Sequence, residues 1–342
     1  MSSDSVNKKF LTYNRQMKKL RDNKKIKCKG SNDKKILIRS GYFNLINGYK
    51  NPFVADTLPD GQHIYRRGTS IEQVYIVKLF DEELRSFILK YTTKVEEEVR
   101  TLTGYKFDEC NAEGKIHWYE TAAYDEEQPL KYRMSIISKA YSEISRSRLE
   151  YIQFYMDNHE IIPTWIMIKA VNFSTFIGVI QNSKKEVRHA LCNLYGMTDS
   201  KELPNVKLLI GSLHHMRRIR NSCAHNERIY CFKSSNNRSK NRILEKYFNQ
   251  LPKPYSRERD KEKNLFDLIV YFKYYLPRDE YKEFIEILQK MLLNLKKHID
   301  VQAFNYVRAQ IGVKNIDDLE QLVDFTKDKI EYNKFDSYPI KT

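Results

Sequence analysis

The sequence predicts an all-α fold, a multi-helix bundle with additional helices at its amino and carboxy ends. Three observations carry that expectation. Glycine and proline are scarce, at 11 and 9 of 342 residues, so few positions interrupt a helix. Apolar residues recur every three to four positions through most long windows, the spacing that keeps one helix face turned to a core. Capping residues stand ahead of several of those windows.

Taken in order, Phe10, Leu11, Met17 and Leu20 alternate with basic positions in a short helix over 10–22. Gly30-Ser31-Asn32 breaks it, and Ser31 or Asn32 can cap a helix over 33–47 that carries Ile36, Leu37, Ile38, Tyr42, Phe43, Leu45 and Ile46. Gly48 and Asn51-Pro52-Phe53 end that helix, and 54–68 reads as a loop with an extended piece at His63-Ile64-Tyr65. Ser70 and Gln73 make a capping box for a long helix to about residue 101, striped by Ile71, Val74, Val77, Phe80, Leu84, Ile88, Tyr91 and Val95. One long helix is expected over 127–158, and Pro163 opens another through Trp165, Met167, Ile168, Val171 and Phe176. Shorter helices follow at 183–195 and 199–203, and Pro204 or Asn205 starts a longer one. Helices at about 262–276, 279–298, 300–311 and 316–329 complete the scaffold. The polar stretch 233–240 reads as a mobile loop. The expected organisation is a basic amino-terminal helical segment (1–55), a helical core (56–232), and a basic loop with a carboxy-terminal helical extension (233–342).

Apolar residues make up 41% and charged residues 30%, a globular rather than disordered balance. No run of about 18 apolar residues exists and the amino terminus lacks the apolar core of a signal peptide, so no membrane association and a cytoplasmic location are expected. Five widely spread cysteines argue against a disulfide framework. Cys223, Cys231 and nearby histidines match no standard zinc spacing; no metal and no cofactor are expected.

A formal charge of +16 calls for an anionic partner. The cations are concentrated, with Lys18, Lys19, Arg21, Lys24, Lys25 and Lys27 in a first track and Arg238, Lys240 and Arg242 in a second. The excess alone also fits a solvated lysine-rich surface. Interleaving with 24 tyrosines, whose faces can stack bases, favours nucleic acid.

The helix that begins near 205 ends in Arg220-Asn221-Ser222-Cys223-Ala224-His225. Arginine holds phosphate through its planar fork, and histidine moves protons near neutral pH. Cutting RNA without a metal needs both abilities at one place. With 8 histidines in the chain, roughly half a match to Arg-x4-His is expected by chance, and requiring Asn after Arg lowers that to a few per cent. Val206, Leu209, Ile210, Leu213, Met216, Ile219 and Cys223 stripe the inner face, and Arg220 falls close to that stripe. Asn221 and His225 stand one turn apart and can share a face. A histidine here also fits a plain helix end, favoured by the dipole.

Three segments give the chain a family resemblance: Ile38-Arg39-Ser40-Gly41-Tyr42-Phe43-Asn44-Leu45-Ile46-Asn47-Gly48-Tyr49 with Pro52-Phe53; Phe80 to Arg85 leading to Glu96 and Arg100; and Pro163-Thr164-Trp165 continuing to Phe173, then Arg220 to Arg228. It resembles the Abi-like abortive-infection proteins of the AbiD/AbiF group, whose helical core is HEPN-like, of the HEPN superfamily. The resemblance implies a metal-independent RNA endonuclease for defence against phage, under toxin–antitoxin control and bound to a small noncoding RNA. On that reading His225 moves protons, Arg220 stabilises the phosphate, Asn221 orients His225 or donates to phosphate, and Arg228 contacts the backbone. One motif per chain implies a homodimer with a composite site. The competing class is a catalytically inactive RNA-binding module that sequesters a structured RNA.

Overall fold

A computed structural model describes residues 10–199, 201–234 and 264–324. The chain enters through α1 (Tyr13–Asp22), where Thr12 accepts from the Arg15 amide at 3.4 Å. Its buried side is Met17 and Leu20, so Lys18, Lys19 and Arg21 stand outward. α2 spans Gly30–Ser40, beginning ahead of the expected Asp33 because the Asp33 carboxylate turns back to accept the Lys29 amide.

The helix expected over 33–47 is two pieces. Gly41 takes φ 70°, a conformation that L side chains rarely adopt, and its amide closes the Leu37 carbonyl at 2.9 Å. Beyond it comes a wide π-type turn, Phe43–Asn47, then a tight turn at Asn51–Phe53. The expected loop over 54–68 contains a small antiparallel hairpin, β1 (Val54–Thr57) and β2 (His63–Tyr65), with Val54 opposite Tyr65. All other regular structure among the described residues is helical.

The scaffold is α3, Ile71–Cys110, whose 40 residues run about 60 Å. The predicted cap is present: Ser70 Oγ accepts the Gln73 amide at 3.2 Å and Gln73 Oε1 accepts the Ser70 amide at 3.3 Å. It continues beyond residue 101 because Thr103, Gly104 and Phe107 keep the core-facing stripe going.

The expected helix over 127–158 divides into α4 (Leu130–Ser145) and α5 (Glu150–Asn158). At the break the Gln153 side chain donates to the Ser147 carbonyl at 2.6 Å, supplying locally the bond a continuous helix would make along its axis. The helix opened by Pro163 likewise divides, into α6 (Thr164–Ala170) and α7 (Phe173–Asn182). Asn172 caps α7 by accepting the Thr175 amide at 3.0 Å, and Glu143 on α4 accepts the Asn172 amide at 2.7 Å. α8 (Lys185–Leu194) follows. Within 199–203 no helix forms among the described residues; Asp199 accepts the Lys201 and Leu203 amides at 2.8 and 3.0 Å and holds a turn instead.

The motif helix is α9, Val206–Ala224, capped by Asn205 accepting the Leu208 amide at 3.0 Å. α10 (Leu265–Tyr275), α11 (Arg278–His298), α12 (Val301–Ile311) and α13 (Asp318–Asp324) follow. They pack on the bundle. The Phe284 ring on α11 stacks on Phe87 of α3 at 4.8 Å, Tyr275 on α10 shares a 2.7 Å hydrogen bond with Ser212 on α9, and α12 covers Asn51–Phe53. Gly312 ends α12 at φ 97°, where a Cβ would lie 2.6 Å from Asn264 and 2.8 Å from Phe266. No helix among the described residues is long and apolar enough to cross a membrane.

Candidate functional site

α9 lies along α3, and two clusters of charge on α3 determine how the motif is held. The first secures the chain just past the motif. α9 ends at Ala224 with His225 as its cap, and Asn226 follows at φ 56°. The Asn226 amide donates to the Cys223 carbonyl at 3.2 Å and the Glu227 amide to the Ser222 carbonyl at 2.9 Å, the paired bonds of a Schellman ending. Ser222 Oγ then donates to the Glu227 carboxylate at 2.6 Å.

From there the chain is tied to Asp81. One Asp81 oxygen accepts the Ile229 and Tyr230 amides at 3.1 and 2.8 Å; the other accepts Arg85 at 2.6 Å and the Tyr49 hydroxyl at 2.9 Å. Arg85 also reaches the Glu227 carbonyl at 3.4 Å. Burial pushes the Asp81 carboxyl up, and the Tyr230 amide, the Arg85 guanidinium and Tyr49 pull against it. This cluster joins the 41–49 segment, α3 and the post-motif loop through one carboxylate.

The second cluster holds Arg220. Glu96 Oε1 accepts Arg100 Nη2 at 2.7 Å and Nε at 3.1 Å, while Glu96 Oε2 lies 3.4 Å from Arg220 Nε. Arg100 is fastened further to the Ile168 carbonyl and lies over the Phe176 ring at 4.6 Å; burial lowers its pKa against the pull of Glu96. Arg220 is held more loosely. Its Nε and Glu96 Oε2 are both buried and neither makes a hydrogen bond, so the attraction is one of charge without alignment. About a third of the Arg220 side chain, 35%, remains exposed, and its Nη1 donates to the Asn221 amide oxygen at 3.3 Å.

His225 is exposed at the helix end, its ring in no hydrogen bond or ion pair among the described residues. The Asn221 side chain is engaged by Arg220 rather than by His225, although the two residues stand one turn apart. Arg220 and His225 are five positions apart, about 140° around the helix, so in one copy they leave α9 in different directions. Cys223, between them, is buried, and burial pushes its thiol up to about 12, the direction that disfavours thiolate.

Among the expected RNA contacts, Arg228 is exposed and donates to the Gly48 carbonyl. Lys18, Lys19, Lys25 and Lys27 are exposed on α1 and the turn after it. Arg21, also exposed, donates to the Cys28 carbonyl at 3.2 Å, and Lys24 lies over the Tyr65 ring at 5.4 Å. Burial, then Lys50 and Lys19, lower the Lys24 pKa, so the track reaches Lys50 at the edge of the 41–49 segment. Arg238, Lys240 and Arg242 lie outside the described residues. No three His, Cys, Asp or Glu side chains converge as metal ligands among those residues.

Sequence reasoning gave no role to Tyr49, Asp81, Arg85, Glu96 and Arg100. A signal was present: Asp81/Arg85 and Glu96/Arg100 are acid–base pairs four apart that fall among the apolar positions of α3, where charge needs a partner from another element.

Glu96 is the one carboxylate between two guanidinium groups, so Glu96→Gln should leave Arg100 and Arg220 facing each other across a neutral amide. On the RNA-cleaving reading that the sequence resemblance implies, kcat should fall about 10- to 100-fold with KM little changed, as for a misdirected transition-state group. Wild-type kcat in single-turnover assays would dismiss Glu96 as the residue that aims Arg220.

The sequence model of one protein family, described as Abi-like protein, matches residues 35–231. No curated protein and no solved structure matches the chain.

Proposed function

The chain belongs to the Abi-like protein family, which points to a part in abortive infection against phage, and from that premise we propose that it is an endoribonuclease of the HEPN type. The observation that carries the reading is the motif helix. It presents an unengaged, exposed His225 at a rigidly tied end, with a loosely held arginine one and a half turns before it.

The substrate supplies its own nucleophile. The ribose 2′-oxygen attacks the adjacent phosphorus, forming a 2′-O–P bond and breaking the P–O5′ bond. The 2′-proton leaves to a base and the departing 5′-oxygen gains one, giving a 2′,3′-cyclic phosphate and a 5′-hydroxyl. His225 performs one of those proton transfers. Arg220, its Nε kept beside Glu96, turns its Nη groups onto the non-bridging oxygens as charge grows there. Asn221, already bonded to Arg220, directs that fork.

One imidazole does not readily serve as base and acid in the same step, and the 140° divergence of Arg220 from His225 separates the two groups in a single copy. Both difficulties are relieved when two α9 helices face each other, so the active form is a homodimer whose site takes groups from both copies. The exposed lysines of α1 and the turn after it hold the RNA, including a regulatory noncoding RNA.

The test is to purify the protein, sequence any RNA it carries, and compare wild type with His225→Ala on total cellular RNA. Tight, salt-sensitive binding with no cleavage by either form would instead identify a sequestering module. Separately, replacing Lys18, Lys19, Lys25 and Lys27 by Ala should weaken RNA binding across sequences. The log–log salt slope should drop by about 0.7 for each lost single-strand phosphate contact. An unchanged slope would remove α1 from the RNA path.

A further inference from the structure

Beside the motif, a groove of about 760 Å³ runs between the 39–49 segment and the chain from Ser222 to Lys233, with Lys78, Glu82 and Arg85 of α3 as its floor. We infer that this groove is the seat for an unpaired nucleotide next to the scissile linkage, with Phe43 stacking its base and Arg39 and Arg228 holding its phosphates. The inference rests on the endoribonuclease reading and adds where the strand lies.

The first observation is Phe43. It is 74% exposed, although Leu45 and Ile46 of the same five-residue turn are fully buried. The turn is wound wide, in the π fashion that recurs at functional positions, and it presents Phe43, Asn44 and Asn47 outward together. A solvent-facing aromatic ring flanked by two amides offers a stacking face and hydrogen-bond groups for a base edge.

The second observation is charge. Arg39 and Arg228 are exposed on opposite walls. Glu82 is paired with Lys78, and Glu227, which accepts from the neutral Ser222 hydroxyl, keeps its charge but is outnumbered by Arg39 and Arg228. The surface left to a ligand is therefore cationic. Arg228 is anchored through one Nη on the Gly48 carbonyl, leaving the rest of its fork outward for phosphate.

The third is position. Asn226 lines the groove and is the residue after His225, so their Cα atoms are about 3.8 Å apart. His225 itself does not line the groove, so a strand seated there reaches the imidazole where it leaves past Asn226. Duplex RNA is unsuited to it, because a paired base keeps its faces stacked within the helix.

The test titrates a short fluorescent single-stranded RNA, and its duplex, into the full-length His225→Ala protein, which binds without cutting. Adding Phe43→Ala should weaken single-strand binding about 5- to 150-fold, the range for one lost base stack. Thermal stability should be unchanged, duplex binding should change little, and Phe43→Trp should restore affinity. Single-strand affinity unaffected by Phe43→Ala, or an equal loss on duplex, would overturn the groove while leaving the nuclease reading intact. Failure of the His225→Ala protein itself to bind any RNA would instead defeat the endoribonuclease reading, and this inference with it.

Discussion

RNA cleavage by the His225→Ala protein is expected to fall about 10²- to 10⁴-fold, the usual contribution of a positioned acid or base, while RNA affinity and folding persist. The surroundings of His225 make the experiment clean. Its ring is exposed and touches no hydrogen-bond partner among the described residues, so its removal costs the fold little, within about 0.5 kcal/mol for an ordinary surface change and up to about 1 kcal/mol if the helix dipole is felt. The backbone that ends α9 uses main-chain bonds, which alanine retains. A large loss of turnover with an unmoved melting temperature would therefore be chemical. Toxicity in cells should vanish in parallel. Cutting at the wild-type rate would rule His225 out of the reaction.

The largest effect on stability is expected at Asp81. Asp81→Ala leaves Arg85 as a buried cation with the looser Glu82 contact at 3.9 Å in place of its close carboxylate, and removes the acceptor for the Ile229 and Tyr230 amides. Breaking a buried pair from one side costs about 3–5 kcal/mol. Against a total of about 5–15 kcal/mol for a folded protein, that is enough to unfold a sizeable fraction of molecules. Exchanging both partners for apolar residues, Asp81→Leu with Arg85→Met, should recover part of the loss, because neither charge is then stranded. It should not recover all of it: two buried amides remain without an acceptor, at about 1–3 kcal/mol each. Urea denaturation of the single and double variants measures both quantities. A single variant as stable as wild type would show that Asp81 is not what holds the post-motif loop.

Much of this architecture is readable in the residues. Ser70 and Gln73 announce the start of α3, Asn205 the start of α9, and the three-to-four spacing of Val74, Val77, Phe80 and Leu84 the buried face. Each of these signals is local, completed by groups within a turn or two. The misreadings have a common cause as well. The helices expected over 33–47, 127–158 and 163–176 are each interrupted, at Gly41, near Ser147 and at Asn172. At Asn172 the break is secured by Glu143 from α4, a partner 29 residues away that periodicity does not reveal. Near 199–203 a single aspartate side chain outcompetes the helix for two amides.

Helical class, cationic character and the Arg–Asn–His pattern thus belong to the linear chain, because hydrophobic period, capping and charge are properties of neighbouring residues. Where Arg220 points, how Asp81 is satisfied inside a core, and which face of the 41–49 segment is open are settled by three-dimensional packing. Arg85 meets the Glu227 carbonyl across 142 positions, and Arg100 meets the Ile168 carbonyl across 68. A buried charge takes its meaning from the group that neutralises it, and when that group comes from a distant segment, no local pattern can name it.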